Sequence, residues 1–146
     1  MDFRECTAFA NRHPVSFLAS SMDHGVPQVR PLTLWFADET GFYYNSISTK
    51  NVIRQLEHNP ACEACFVAPP RYPDPVEMMR VTGRVEFLSD RSVKERLLDD
   101  RPFLMKLGID GPGDPFLSVF RIPHGDIRFW RMENYLTGKE MVWLTF

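Results

Sequence analysis

The 146-residue sequence predicts a mainly β fold, an antiparallel barrel accompanied by α-helices. Twelve prolines and an aromatic content of 13% are typical of short strands joined by many turns. Strand-like runs follow one another with short connections, as in antiparallel barrels. A doubly wound nucleotide-binding sheet is disfavoured, because strands and helices do not alternate regularly. The glycine-rich run at 108–113 also follows no strand and has the wrong spacing for that fold.

Length and composition predict one globular domain spanning residues 1–146. Hydrophobic residues make up 44% of the chain and charged residues 25%. The net charge of −2 does not favour broad nucleic-acid binding. We expect a cytoplasmic protein, because no apolar run reaches membrane-spanning length and the N-terminus lacks a signal-peptide core. Three cysteines form no full disulfide framework and fit a reducing compartment.

The predicted order of elements is helix, three strands, helix, two strands, helix, three strands. The first helix follows from apolar residues at Phe3, Cys6, Phe9 and Ala10, and Pro14 ends it. Alternating apolar residues and turn signals predict the strands. The remaining elements are, in chain order, strands at 15–21, 26–36 and 42–45, a helix from Ser48 to about Glu57, strands at 61–68 and 78–88, a helix at 89–100 with a short one to Leu107, and strands at 115–122, 126–135 and 140–146.

Six polar residues crowd the entrance of the second helix: Asn45, Ser46, Ser48, Thr49, Lys50 and Asn51. Serine and threonine are frequent N-caps, so capping by Ser48 is one explanation. A helix N-terminus also offers unpaired N–H groups and the positive end of the helix dipole, to which phosphate binds readily. The added hydroxyls and the Lys50 charge favour an anion site as the second explanation.

Arg30 and Pro31 interrupt an otherwise apolar strand. Proline removes a hydrogen-bond donor from the ladder, so this part of the strand is expected at a sheet edge or a bulge. Arg30 is then either an exposed arginine or a second positive charge directed at the same anion as Lys50. In the second case, backbone groups freed around Pro31 would face a planar ligand.

The Arg-Pro strand, the aromatic strand, the Ser-Thr-Lys helix start at 48–50 and the His-Asn-Pro helix stop at 58–60 together resemble one known family. This is the pyridoxamine 5'-phosphate oxidase-like, FMN-binding split-barrel family. The likeness continues through 78–90 and 126–130 and so includes nearly the whole chain. Small stand-alone members of the nitroimidazole-resistance type look most similar.

The resemblance implies an antiparallel split β-barrel, FMN as the cofactor, and a homodimer with FMN at the subunit interface. It also implies three groups of cofactor-binding residues. They are Arg30, Ser48, Thr49 and Lys50 for the phosphate; the backbone of Arg30, Pro31, Leu32 and Thr33 with Tyr44 and Asn45 for the isoalloxazine ring; and, from the partner subunit, residues near Met78 and Arg80 together with Trp130.

The resemblance does not extend to the substrate residues of true pyridoxamine 5'-phosphate oxidases. The arginine and histidine with which those enzymes bind their substrate correspond to Leu136 and Gly138 in this chain. The glutamine that they use near the flavin corresponds to Met78. We therefore expect a flavin-dependent oxidoreductase or reductase acting on another small molecule, with no general acid or base assigned. A non-catalytic FMN carrier or electron-transfer protein is the alternative. A third hypothesis keeps the barrel but exchanges FMN for a deazaflavin or haem, and the lack of a well-placed axial histidine disfavours haem.

Cys62 and Cys65 form a CxxC pair, but strand residues three apart face opposite sides. We therefore expect two separate, inert thiols rather than a redox pair or half of a zinc site. The four histidines lie beside turn signals and at no metal-ligand spacing, so no metal site is predicted. The proline-punctuated loop at 69–75 carries Arg71 and Tyr72, which belong either to a simple turn or to a cover over the flavin.

Overall fold

A computed structural model describes residues 1–69, 76–134, 136–137 and 142–146. The model confirms the predicted split-barrel fold. It has two antiparallel sheets that do not close on each other, together with helices. The elements are α1 (Phe3–Arg12), β1 (Val15–Ser21), β2 (Pro27–Thr33), β3 (Phe36–Asp38), β4 (Gly41–Ile47), α2 (Asn51–His58), β5 (Ala61–Val67), β6 (Glu77–Arg84), β7 (Glu86–Leu88), α3 (Arg91–Asp100), α4 (Phe103–Lys106), β8 (Leu117–Ile122), β9 (Gly125–Arg131) and β10 (Val142–Thr145).

The larger sheet has the strand order β10-β9-β6-β5-β1-β2, and the smaller has the order β3-β4-β8-β7. The main core fills the space between their facing sides and includes residues of α1 and α2. A second apolar cluster lies on the outer face of the smaller sheet, where Leu97 and Leu98 of α3 pack with Leu117 and Val119 of β8. No helix in the described ranges is long and apolar enough to span a membrane.

Helix α1 follows the predicted pattern. Asp2 is its N-cap and forms a capping box with Glu5, which satisfies two backbone donors at the helix start. Cys6, Phe9 and Ala10 are buried in the main core, as the spacing of apolar residues predicted. The helix ends at Arg12, just before Pro14.

Two strands that the sequence predicted as continuous are each divided between the sheets. The run at 26–36 gives β2 and β3, and the run at 78–88 gives β6 and β7. The second division falls at Val85, whose buried side chain joins the main core while its N–H donates to Pro60 O at 2.9 Å. At this second crossing the alternation of core-facing residues continues from Val81 to Val85, so the sequence pattern does not reveal it.

Gly125 marks another crossing, between β8 and β9. A Cβ atom at this position would lie 1.9 Å from the carbonyl oxygen of Thr82. No side chain fits there, so glycine lets the backbone of β9 approach β6 where the chain changes sheets.

Candidate functional site

The start of α2 differs from the prediction in one respect: Lys50, not Ser48, is the N-cap. The Lys50 N–H donates to Ile47 O at 3.0 Å and closes a turn between β4 and the helix. Ser48 therefore lies two residues before the N-cap, where its hydroxyl does not take the capping position. Within the described ranges, no side chain caps the start of α2.

The uncapped helix leaves a concentration of hydrogen-bond donors at one place. Thr49 and Lys50 are exposed and Ser48 is half-buried. The first backbone N–H groups of a helix have no partner within the helix, and the helix dipole adds partial positive charge. An anion at this position would meet backbone donors, two hydroxyls and an ammonium group.

Ser46, which precedes this group by two residues, was predicted only as part of the polar cluster at 45–51. Its side chain is 6% exposed, and its Oγ has no hydrogen-bond partner in the described part of the chain. Leaving a buried hydroxyl unsatisfied costs about 1–3 kcal/mol. Alternation along β4 from the buried Tyr44 was the available sequence signal that Ser46 faces inward.

Arg30 lies on the core-facing side of β2 and is bound to α2. Its Nη2 donates to Gln55 Oε1 at 2.7 Å, and its Nη1 donates to Ser20 Oγ at 2.6 Å. The same Nη1 also reaches the backbone oxygens of Leu18 and Gln28 at 3.3 Å and 3.1 Å. Burial lowers the pKa of Arg30, but a guanidinium stays protonated in proteins. The structure thus brings the Arg30 charge to the helix that Lys50 begins.

The position of β2 agrees with the effect expected of Pro31. Among the described residues, this strand pairs only with β1 and forms one edge of the larger sheet. Pro31 and Thr33 are exposed, whereas Leu32 turns inward and packs against the main core. Backbone groups on the free edge remain available to a ligand.

Tyr44, which the resemblance assigned to one side of the isoalloxazine ring, has its side chain in the main core. The ring is fully buried and stacks on Phe120, with centroids 5.3 Å apart. Its hydroxyl shares a 3.0 Å hydrogen bond with Ser16 Oγ, and burial raises the pKa of Tyr44. Only the backbone of Tyr44 remains available to a ligand, because the side chain is part of the core.

Asn45 faces the opposite side of β4 from Tyr44 and meets a residue that the sequence analysis missed. The guanidinium of Arg101, at the C-terminal end of α3, donates to Asn45 Oδ1 and to Leu34 O, each at 2.6 Å. Burial lowers the pKa of Arg101. No local sequence signal indicates this contact, because 56 residues separate the two side chains.

Met78, Arg80 and Trp130 are together but lie on the outer face of the larger sheet. Met78 is directly opposite Trp130, and Arg80 is directly opposite Arg128. Arg30 faces the core on the other side of that sheet. Within one chain, the structure therefore does not unite these residues with Arg30.

The remaining predictions concern substrate residues, a loop and the cysteines. Leu136 is 94% exposed, and Gly138 and the loop residues Arg71 and Tyr72 lie outside the described residues.

Cys62 points into the main core, whereas Cys65 is half-buried on the other face of β5, as strand alternation predicted. Burial raises the pKa of Cys62 to about 12 and also raises the pKa of Cys65, which makes both thiols poor nucleophiles.

Comparisons with known proteins agree with this architecture. The family model described as pyridoxamine 5'-phosphate oxidase matches residues 3–131. A comparison with curated proteins finds no match.

Several solved structures share the fold. A NimC/NimA family protein from Clostridium acetobutylicum is 22% identical with a TM-score of 0.77, covering 98% of this chain and 92% of that one. General Stress Protein 26 from Bacillus anthracis is 16% identical with a TM-score of 0.70, covering 100% of both chains. PhzG from Burkholderia lata, solved with tetrahydrophenazine-1-carboxylic acid, is 16% identical with a TM-score of 0.69, covering 99% of this chain and 88% of that one. At these identities the similarities establish the fold alone.

Proposed function

Because the chain belongs to the pyridoxamine 5'-phosphate oxidase family, whose members commonly bind flavin, we propose that it binds FMN and acts as a flavin-dependent oxidoreductase on a small molecule. The observation that carries the proposal is the uncapped start of α2, where Ser48, Thr49 and Lys50 supply donors that no capping bond uses. The unsatisfied hydroxyl of Ser46 nearby in sequence also fits a bound group outside the polypeptide.

In this proposal the phosphate of FMN is held by Ser48, Thr49, Lys50 and the first N–H groups of α2. Arg30 adds positive charge beside the same helix, while its contact with Gln55 keeps the side chain in place. The ring lies along the free edge of β2, against the backbone of residues 30–33, with Asn45 on its other flank. Tyr44 supports this arrangement from the core rather than touching the ring.

Bound FMN supplies the redox chemistry, a hydride transfer or single-electron transfers. The chain anchors the phosphate, orients the ring and provides hydrogen bonds to it. No side chain among the described residues is assigned as a general acid or base.

A second copy of the chain completes the site in this proposal. Four apolar side chains on the outer face of the larger sheet are between 46% and 68% exposed: Val15, Phe17, Val29 and Trp143. An apolar surface of this kind favours association. Met78, Arg80 and Trp130 lie on that same face. Homodimerisation through it would bring them to the partner's FMN.

A non-catalytic flavin carrier is the second candidate function. Leu136, at the position of a substrate-binding arginine in true pyridoxamine 5'-phosphate oxidases, is an exposed aliphatic residue and favours this alternative. The two functions differ in turnover. An oxidoreductase should oxidise NADH or NADPH, or reduce a nitro or quinone acceptor, well above the rate of free FMN, whereas a carrier should match that rate.

The phosphate site is tested by Lys50→Ala, with FMN and riboflavin titrated into cofactor-free protein and flavin fluorescence recorded. A lost charge-assisted hydrogen bond of about 1.5–3 kcal/mol should weaken FMN binding at least about tenfold. Riboflavin lacks the phosphate, so its affinity should not change.

Lys106→Ala is the matched control, since Lys106 is also an exposed lysine but lies on α4. It should leave both affinities unchanged. Equal FMN binding by folded Lys50→Ala and the unaltered protein would refute the phosphate assignment.

A further inference from the structure

Arg101 joins two segments that lie far apart in sequence. One Nη atom donates to Asn45 Oδ1 on β4, and the other donates to the carbonyl oxygen of Leu34, each over 2.6 Å. Both distances are short for nitrogen–oxygen hydrogen bonds, as expected when the donor is charged. Arg101 is half-buried, so water competes less with Asn45 and Leu34 for its hydrogen bonds.

The chemistry of arginine fixes the orientation of the Asn45 amide. A guanidinium has only donors, so Asn45 must turn its oxygen toward Arg101. The amide NH₂ group must then point away from Arg101. In the described part of the chain, no group accepts a hydrogen bond from Asn45 Nδ2. Asn45 is therefore held as a donor with unused hydrogen-bonding capacity.

The second bond of Arg101 concerns the other flank of the proposed ring site. Leu34 directly follows Thr33, the last residue of the β2 edge along which the ring is proposed to lie. The Leu34 side chain is buried in the main core, so its carbonyl is a rigid anchor. One guanidinium thus fixes the β2 edge and Asn45 relative to each other.

We propose that Arg101 is a positioning residue that holds Asn45 as a hydrogen-bond donor to an acceptor atom of the flavin ring, an inference that rests on the proposed function. Its positive charge polarises the Asn45 amide and strengthens that donor. A stronger donor favours the electron-rich reduced ring, so Arg101 raises the midpoint potential of the bound flavin as well as its affinity.

The test compares FMN affinity and midpoint potential in three variants. Arg101→Met releases Asn45 and should weaken FMN binding about tenfold and lower the potential. Arg101→Lys keeps one charged donor, so it should retain part of the FMN affinity and should lower the midpoint potential less than Arg101→Met does. Asn45→Asp keeps a partner for Arg101 but replaces the NH₂ donor by an acceptor oxygen, so it should lower affinity and potential without loss of thermal stability.

Arg91→Met is the matched control, because Arg91 lies on the same helix, is exposed and pairs with Glu95. It should leave affinity and potential unchanged. If Arg101 has a merely structural role, Arg101→Met should have a lower melting temperature but the same FMN affinity and midpoint potential as the unaltered protein. That result would overturn the inference.

A measurement without cofactor addresses the amide directly. The side-chain NH₂ signal of Asn45 is identified in an NMR spectrum by its loss in Asn45→Asp. Its heteronuclear NOE should show a rigid group in the unaltered protein and a mobile one in Arg101→Met, and equal values would overturn the positioning role. If the unaltered protein fails to bind FMN, the proposed function and the ligand named here both fall. If it binds FMN and Arg101→Met behaves identically, only this inference falls.

Discussion

Asp114 holds the loop between α4 and β8 through two backbone hydrogen bonds. Its carboxylate accepts from the N–H of Asp110 at 2.9 Å and from the N–H of Phe116 at 2.8 Å. These bonds are the main reason that the pKa of Asp114 is lowered. The carbonyl of Phe116 in turn accepts from Ser48 N at 2.9 Å. One carboxylate therefore supports the loop that borders the proposed phosphate site.

We predict that Asp114→Asn reduces the pH dependence of stability. A carboxylate whose pKa is lowered in the folded state stabilises the protein above its unfolded pKa of about 3.9. That contribution is lost as the pH falls through the lower folded value. Urea unfolding at several pH values should show a difference in unfolding free energy between the two proteins that shrinks below about pH 4.

Asp99→Asn, which removes one carboxylate at an exposed position on α3, is the charge-matched control, and the pH-dependent difference should be larger for Asp114→Asn than for this variant. A difference for Asp114→Asn that does not change with pH would contradict the role given to this carboxylate.

At the scale of elements, α2 is attached to the larger sheet by apolar and polar contacts. Val52, Ile53 and Leu56 form its buried stripe. Gln55 Oε1 accepts hydrogen bonds from Ser20 of β1 and Arg30 of β2. The polar contacts set the position of the helix relative to the β2 edge, and so relate the two halves of the proposed cofactor site.

Gln55→Ala should destabilise the protein by about 1–2 kcal/mol, because it leaves the partly buried donors of Ser20 and Arg30 without their shared acceptor. Gln55→Glu keeps an acceptor beside Arg30 and should retain most of the stability. The measurement is the unfolding free energy in urea. Glu57→Ala, at an exposed position on the same helix, should change stability by less than about 0.5 kcal/mol. Equal effects of Gln55→Ala and Glu57→Ala would contradict the attachment by Gln55.

At the scale of the whole molecule, the two faces of the larger sheet have different surroundings. The inner face packs against the main core, whereas the outer face exposes Phe17, Val29 and Trp143. Helices α3 and α4 contribute to the cluster on the outer side of the smaller sheet, which shields that side. The exposed apolar residues of the outer face are thus where a second copy is proposed to bind.

We predict that Val29→Lys produces a monomer, since Val29 is 68% exposed at the proposed interface and a lysine there would be desolvated on association. The monomer should also bind FMN more weakly, because Met78, Arg80 and Trp130 are proposed to come from the partner. Sedimentation velocity and FMN titration measure the two effects.

Leu107→Lys is the control, because Leu107 is 76% exposed but follows α4, away from this face. It should leave association unchanged. A dimeric Val29→Lys variant would contradict the proposed interface.

The sequence by itself determined the features that depend on neighbouring residues. The apolar spacing of α1, the edge position of β2 at Pro31 and the divergence of Cys62 from Cys65 all follow from helix or strand geometry. The order of motifs along the chain also identified the fold.

Only the tertiary structure decided features that depend on where the chain turns and on contacts between distant residues. The strand at 78–88 crosses between sheets at Val85, and the N-cap of α2 is Lys50 rather than Ser48. Both features depend on where the adjacent strands end. The contact of Arg101 with Asn45 joins positions 56 residues apart. Local periodicity reports which way a side chain faces, but the partner it meets is set by strand register and helix packing.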